Sequence, residues 1–316
     1  MSWTRSIILI VFLVLLALFY FRKINPNFSP KPSAPAAKSL DAYVLPLRDP
    51  DEVKGLSFSD YVKKAKFAFK RTDNGWNIVS PIRYPAESVV VDGFISILRL
   101  SPRLRNLPTE YTSLKDLGLS EPRLKVCVSF ASSGRKRCVD IGSEAALGNG
   151  TMYAKWRDEH YYFLVDEMFL KTFDISLYSL RKKQIFNLSE KDVASIAFQS
   201  QKKDFLIVRE NQTWVLKKPM QAIVGPQAIQ NLLAQLSNLY VKEFMDEPAP
   251  KKRSFKTPAR LIKVVYRDGT EQLLTQSGKA VGREAFMAKL SDPESVFLVS
   301  SIKLNYLEEA FSSLLS

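Results

Sequence analysis

The sequence predicts an α+β protein: an N-terminal transmembrane helix followed by two tandem repeats of mostly antiparallel sheet, each with one main helix. Three observations carry that prediction. An apolar run without a charge lies near the N-terminus, from Ile7 to Phe21. Short segments of alternating polarity surround a single amphipathic stretch, which is the pattern of a sheet carrying one helix and not of βαβ units. The whole arrangement then occurs a second time, at an offset that stays between 134 and 140 residues.

The apolar run reads IILIVFLVLLALFYF, fifteen residues long. As a helix it would rise about 22 Å, short of the roughly 30 Å hydrocarbon core. Its flanks make up the difference, with Trp3 and Tyr20 suited to the interface and Arg5, Arg22 and Lys23 able to snorkel. Residues 1–6 are therefore read as a flank and residues 7–22 as an uncleaved signal anchor held in the lipid bilayer. The other reading is a cleaved signal peptide. Arg22 and Lys23 stand where its cleavage site would be, and Ala34-Pro35-Ala36 comes too late. Residues 23–41 contain Pro26, Pro30, Pro32 and Pro35 without apolar periodicity, and read as a linker reaching about 50 Å at polyproline rise. Arg22, Lys23, Lys31 and Lys38 follow the span while Arg5 precedes it, so the positive-inside count favours a cytoplasmic C-terminal side. Long domains translocate regardless of that count.

The first repeat is assigned to residues 42–183 and the second to 184–316. Residues 52–58 (EVKGLSF) match 192–198 (DVASIAF), and Phe67 to Trp76 matches Phe205 to Trp214. Each Trp is followed five residues later by a proline, Pro81 and Pro219. Val91, Phe94, Ile95 and Leu98 align with Ile229, Leu232, Leu233 and Leu236. Leu124-Lys125-Val126 aligns with Ile262-Lys263-Val264, and Phe163-Leu164-Val165 with Phe297-Leu298-Val299. Within the first copy, strands are expected at 53–58, 67–71 and 76–79, with Asn74-Gly75 supplying the positive φ of a hairpin turn. A helix follows at 87–100, its apolar residues at i, i+3, i+4 and i+7. Strands at 126–130, 136–141, 152–156 and 160–165 complete the sheet. Short helices at 167–173 and 302–315 close the two copies. Gly225-Pro226 opens the main helix of the second copy, with Pro at its first turn.

The chain has 316 residues, 46% of them hydrophobic, and a net charge of +14. That is enough to bury cores without metal or disulfide staples. The positive excess suits anionic surroundings, with solvated surface as the plain reading and anionic lipid contact as the next; nucleic acid is not expected. Basic clusters at Arg135-Lys136-Arg137, Arg181-Lys182-Lys183, Lys217-Lys218 and Lys251-Lys252-Arg253 fall at expected turns and element ends, and read as solvated.

His160 is the single histidine, in Asp158-Glu159-His160 at an expected turn. Metal sites need three or four converging ligands, and the sequence has no His-x-x-x-His or Cys-x-x-Cys, so no metal ligand is assigned. Gly148-Asn149-Gly150 lacks the third glycine and the following helix of a dinucleotide loop, so no cofactor is assigned. No catalytic residue is assigned, and the chain is read as non-enzymatic. An envelope hydrolase would require Asp140, Asp158 and Glu159 to converge in a cleft. Cys127 and Cys138 stand on strands joined by Ala131 to Gly134; a four-residue turn would set them opposite each other at about 4.5 Å between α-carbons, within reach of a disulfide. Two reduced thiols packed as small hydrophobes are the other reading, and the sequence leaves both open.

The anchor, Trp76 with Pro81, the amphipathic helix, Asp116-Leu117-Gly118-Leu119-Ser120-Glu121-Pro122 and Asp140-Ile141-Gly142 together resemble an uncharacterised bacterial family, domain of unknown function 4340. The second copy keeps Trp214 and Pro219 but has Ser254-Phe255-Lys256-Thr257-Pro258 in place of the Leu-Gly-Leu turn. The resemblance implies a membrane-anchored extracytoplasmic protein, in some cases alongside gliding-motility-type ABC transporter components, and brings no catalytic residues. The expected function is a tethered binding or scaffold module in an envelope transport or motility complex, with a membrane-protein partner. A hydrolase and a polyanion- or lipid-binding module are the alternatives. The expected location is the bacterial inner membrane, single-pass, with the folded part in the periplasm.

Overall fold

A computed structural model of the protein describes residues 42–107, 113–131, 134–146, 150–246, 255–282 and 284–315. The expected anchor, 7–22, and linker, 23–41, lie outside the described residues. Among the described residues no helix is long and apolar enough to cross a membrane.

The first sheet contains β1 (Val53–Asp60), β2 (Ala65–Thr72), β3 (Gly75–Ser80), β4 (Tyr84–Pro85), β5 (Arg105–Leu107), β6 (Leu124–Phe130), β7 (Lys136–Glu144), β8 (Thr151–Trp156) and β9 (Tyr162–Asp166). The second contains β10 (Val193–Ser200), β11 (Asp204–Glu210), β12 (Thr213–Lys218), β13 (Ala222–Val224), β14 (Val241–Phe244), β15 (Pro258–Tyr266), β16 (Glu271–Val281), β17 (Ala285–Leu290) and β18 (Ser295–Ser300). The helices are α1 (Ser88–Leu100), α2 (Glu167–Thr172), α3 (Leu177–Leu180), α4 (Pro226–Ser237) and α5 (Ser301–Ser312). The protein is thus mostly β with some helix. The first sheet has the order β4-β3-β2-β1-β6-β7-β8-β9-β5 and the second β13-β12-β11-β10-β15-β16-β17-β18-β14, the same path strand for strand. Every pairing between these strands is antiparallel.

Each sheet buries one face beneath its main helix. α1 presents Val91, Phe94, Ile95 and Leu98 to the first core, and stops at Ser101, where the following Pro102 disfavours helical backbone. α4 begins with Gly225 as N-cap and Pro226 at N1, and buries Ile229, Leu232, Leu233 and Leu236. One main helix per repeat holds for the first copy only. In the second, α5 is as long as α4, twelve residues, and buries Leu304, Leu307, Ala310 and Phe311.

The register corrects one part of the repeat alignment. Phe58 pairs with Val126, and Phe198 pairs with Ile262. Val126 therefore corresponds to Ile262 and Val128 to Val264, two residues away from the match read in the sequence. A two-residue slip keeps every side chain on its own face, so polarity alternation cannot detect it. Two smaller corrections concern turns. β9 begins at Tyr162 and not at His160. The hairpin after β2 pairs Thr72 with Gly75 around Asp73-Asn74, and Gly75 alone carries positive φ, +104°. Its counterpart pairs Glu210 with Thr213, with φ of 46° at Asn211 and 73° at Gln212, the signature of a type I′ turn.

The chain between the sheets is an extended connector bonded to both. On one side the Glu87 amide donates to Leu180 O and the Lys182 amide to Pro85 O. On the other the Val241 amide donates to Lys183 O and the Ile185 amide to Leu239 O. It thereby covers β4, one edge of the first sheet, and the start of β14, one edge of the second.

Candidate functional site

In the first sheet Leu124, Val126, Val128, Val139 and Ile141 enter the core. Strand alternation then places Lys125, Cys127, Cys138, Asp140 and Gly142 on the opposite, outer face. Residues directly opposite each other share a face, so the register sets Lys66, Ser59, Lys125, Asp140 and Lys155 in one row across five strands. Lys155 lies 5.5 Å over the ring of Tyr162 and Lys125 5.6 Å over that of Tyr61. Asp140 is 8% exposed; its Oδ2 accepts from Arg157 Nε at 2.8 Å, and its Oδ1 is buried without a hydrogen-bond partner.

The neighbouring row contains Ser57, Cys127 and Cys138. The two cysteines are directly paired with α-carbons 4.1 Å apart, and their sulfurs are bonded. The pairing works because the turn after β6 is closed by the Phe130 amide bonding Arg135 O, which leaves Cys127 and Cys138 at the closer, non-hydrogen-bonded spacing.

The two loop motifs of the first repeat touch each other on this face. The Ser143 amide donates to Leu117 O at 2.9 Å. A Cβ at Gly142 would fall 2.1 Å from that same oxygen, and Gly118 turns the chain with φ of +64°. The turn seats Leu117 and Leu119 against Tyr162, in an apolar cluster separate from the main core. Tyr162 is also the ring beneath Lys155, so this cluster adjoins one end of the lysine row.

Each of the carboxylates read as a hydrolase candidate is engaged by arginine. Glu159 receives Arg103 at 2.7 and 2.9 Å and Arg137 at 2.8 Å. Asp158 receives Arg137 at 2.8 Å and Arg135 at 2.7 Å. Burial by itself would raise both carboxyls, but hydrogen bonds and charge from Arg137, with Arg103 on Glu159 and Arg135 on Asp158, hold them below the usual range. Both are anionic at neutral pH and saturated by guanidinium, a poor arrangement for a general acid or nucleophile. Asp140 stands apart from this network, on its own arginine. His160 is exposed in the turn beside them. Among the described residues no three His, Cys, Asp or Glu side chains could hold a metal ion.

Two of the basic clusters are corrected from solvated surface to packing. Arg137 lies 4.4 Å over Trp156 with its side chain 15% exposed. Arg181 is 5% exposed, 3.9 Å over Phe244 and 4.7 Å over Tyr84, and bonds both oxygens of Asp246 at 2.7 and 2.6 Å. It therefore joins the first sheet to the second. Lys217 and Lys218 pair with Glu210 and Asp204. Residues 251–253 lie outside the described residues. Trp76 and Trp214 are buried as core residues, and each indole donates to an acid, Asp92 at 2.8 Å and Glu190 at 3.1 Å. The prolines that follow them, Pro81 and Pro219, are both cis. In the second sheet a shallow depression of about 390 Å³ is lined by Lys242, Glu243, Val281, Glu284, Ala285 and Leu298, and Lys242 and Glu284 pair across it.

Sequence reasoning missed the lysine row. β2, β6 and β8 bring its three lysines from separate stretches of the chain, and only the register aligns them. A family model described as "Domain of unknown function (DUF4340)" matches residues 76–261, more than half of the chain, from β3 in the first sheet to β15 in the second. No curated protein and no solved structure matches.

Proposed function

The chain belongs to the DUF4340 family, and from that premise we propose that it is a membrane-tethered, non-enzymatic binding or scaffold module. Its place is an auxiliary subunit of an envelope transport or motility complex, anchored through residues 7–22 in the inner membrane with both sheets on the periplasmic side. The observation that carries this reading is the connector: hydrogen bonds on both of its edges, with Arg181 between them, join the two sheets so that both can be presented together. The saturated carboxylates Asp158 and Glu159 weigh against the alternative, an envelope hydrolase. The bonded Cys127–Cys138 pair favours an oxidising compartment.

The test is chemical cross-linking in intact cells, followed by capture of the full chain from membranes in mild detergent. The expected product is a stoichiometric complex with an integral membrane protein. Recovery of free monomer alone overturns the scaffold reading. Two free thiols in protein taken from its native compartment, measured by mass after alkylation without reduction, overturn the periplasmic placement.

A further inference from the structure

We propose that the outer face of the first sheet is the docking surface for an extended acidic polypeptide segment of the partner. The proposal rests on the module reading above and specifies its surface and chemistry. The row across this face carries three lysines, Lys66, Lys125 and Lys155, and a single carboxylate, Asp140. Asp140 is already bonded to Arg157, which lies outside the row. Among the described residues none of the three lysines has an acidic partner within ion-pair distance, whereas many lysines elsewhere do, as at Lys203, Lys217, Lys218 and Lys263.

The second sheet acts as an internal control. The corresponding row there is Asp204, Gln199, Leu261, Thr275 and Lys289, and Lys289 pairs with Glu294. The same fold forms there with a single cation, Lys289 at the position of Lys155, and that one is paired with an acid, so the fold does not require the three-lysine row. Three lysines without acidic partners on one face also repel one another, a cost that a bound anion would offset.

Geometry and chemistry select the occupant. Strands lie about 4.8 Å apart, so lysines on β2, β6 and β8 stand about 10 Å apart. A chain extended as polyproline II advances about 9 Å per turn of three residues, so acids at every third position lie on one face and would meet successive lysines. Arg157 is engaged with Asp140. Ammonium groups are point charges that bind carboxylate and phosphate alike, so it is the match between the row's spacing and the repeat of an extended chain that favours an acidic polypeptide.

The experiment measures binding of a fluorescein-labelled polyglutamate peptide to the full chain in mild detergent, at low and at near-physiological salt. Lys66→Glu, Lys125→Glu and Lys155→Glu combined should weaken binding by about tenfold to hundredfold. The charge-matched control Lys191→Glu, Lys202→Glu and Lys303→Glu, on the second repeat, should change it less than about threefold. Melting temperatures establish that both variants are folded. Equal loss in the two triple variants, or no binding by the native chain at low salt, overturns the proposal. Tighter binding to polyphosphate or to anionic vesicles than to polyglutamate overturns the assignment to an acidic polypeptide. If the cross-linked complex still forms with the Lys66, Lys125 and Lys155 variant, this surface is overturned while the module reading stands.

Discussion

The two sheets follow the same path through nine strands, yet they are held and equipped differently. The first core is aromatic: Phe58 lies 5.2 to 6.0 Å from the rings of Phe67, Phe69, Phe94 and Phe173. The equivalent Phe198 has two ring neighbours, Phe205 at 6.3 Å and Phe311 at 4.8 Å, and its core is completed by the leucines of α4 and α5. The first sheet adds a cross-strand disulfide, a docked Leu-Gly-Leu turn and the lysine row on its outer face. The second has Lys263 and Leu273 at the positions of the two cysteines. What both copies share is what the fold demands: the strand order, the equivalent helices α1 and α4 over the core face, a Trp bonded to an acid, and a cis proline after it. What only one copy has is available for another purpose. A duplicated fold therefore carries its own control, and each difference can be tested against the other half.

Truncation of the equivalent phenylalanines is expected to have the largest effect. Phe58→Ala should cost about 4–5 kcal/mol and Phe198→Ala about 3–4 kcal/mol, because more ring contacts are lost at the first site. Urea unfolding measures both, and a larger loss at Phe198 would break the claim that the first core depends more on its aromatics. Next in size, Cys127→Ser with Cys138→Ser should cost about 3 kcal/mol, the loop-closure effect for a bridge between residues this close in sequence. Reduction of the native chain should reproduce that loss, while a Lys263→Ser and Leu273→Ser variant should respond to reductant as the native chain does.

Gly142→Ala should cost about 2–3 kcal/mol, since its Cβ would meet the Leu117 carbonyl at 2.1 Å. Gly278→Ala in the second sheet should cost under about 1 kcal/mol, because the nearest atom there is 3.7 Å away. Equal losses in thermal melts would mean that the turn does not press on β7. The smallest effect is expected at the hairpin turns. Gln212→Gly should stabilise by about 0.5–1 kcal/mol by removing a side chain from φ of 73°. Gly75→Ala should destabilise by about 1–2 kcal/mol, at φ of +104° with Ser88 Oγ 2.8 Å from the new Cβ. A destabilising Gln212→Gly would show that unfolded-chain entropy outweighs the turn conformation.

By itself the sequence determined the period-2 strands, the amphipathic faces of α1 and α4, and the existence of a repeat. These are local signals: alternation, i/i+4 spacing and a Trp-to-Pro interval are written in consecutive residues. It also placed Cys127 opposite Cys138, because one short turn fixes the register of one hairpin. The tertiary structure decided whatever depends on strands far apart in the chain. β1 lies beside β6, and that pairing moved Val126 from Val264 to Ile262 in the alignment of the copies. Arg181 reads as a surface charge in sequence and is buried between Tyr84 and Phe244, because the connector runs against the edges of both sheets. The lysine row exists only once five strands are in register, because charge within a strand is local but charge across a sheet is set by pairing.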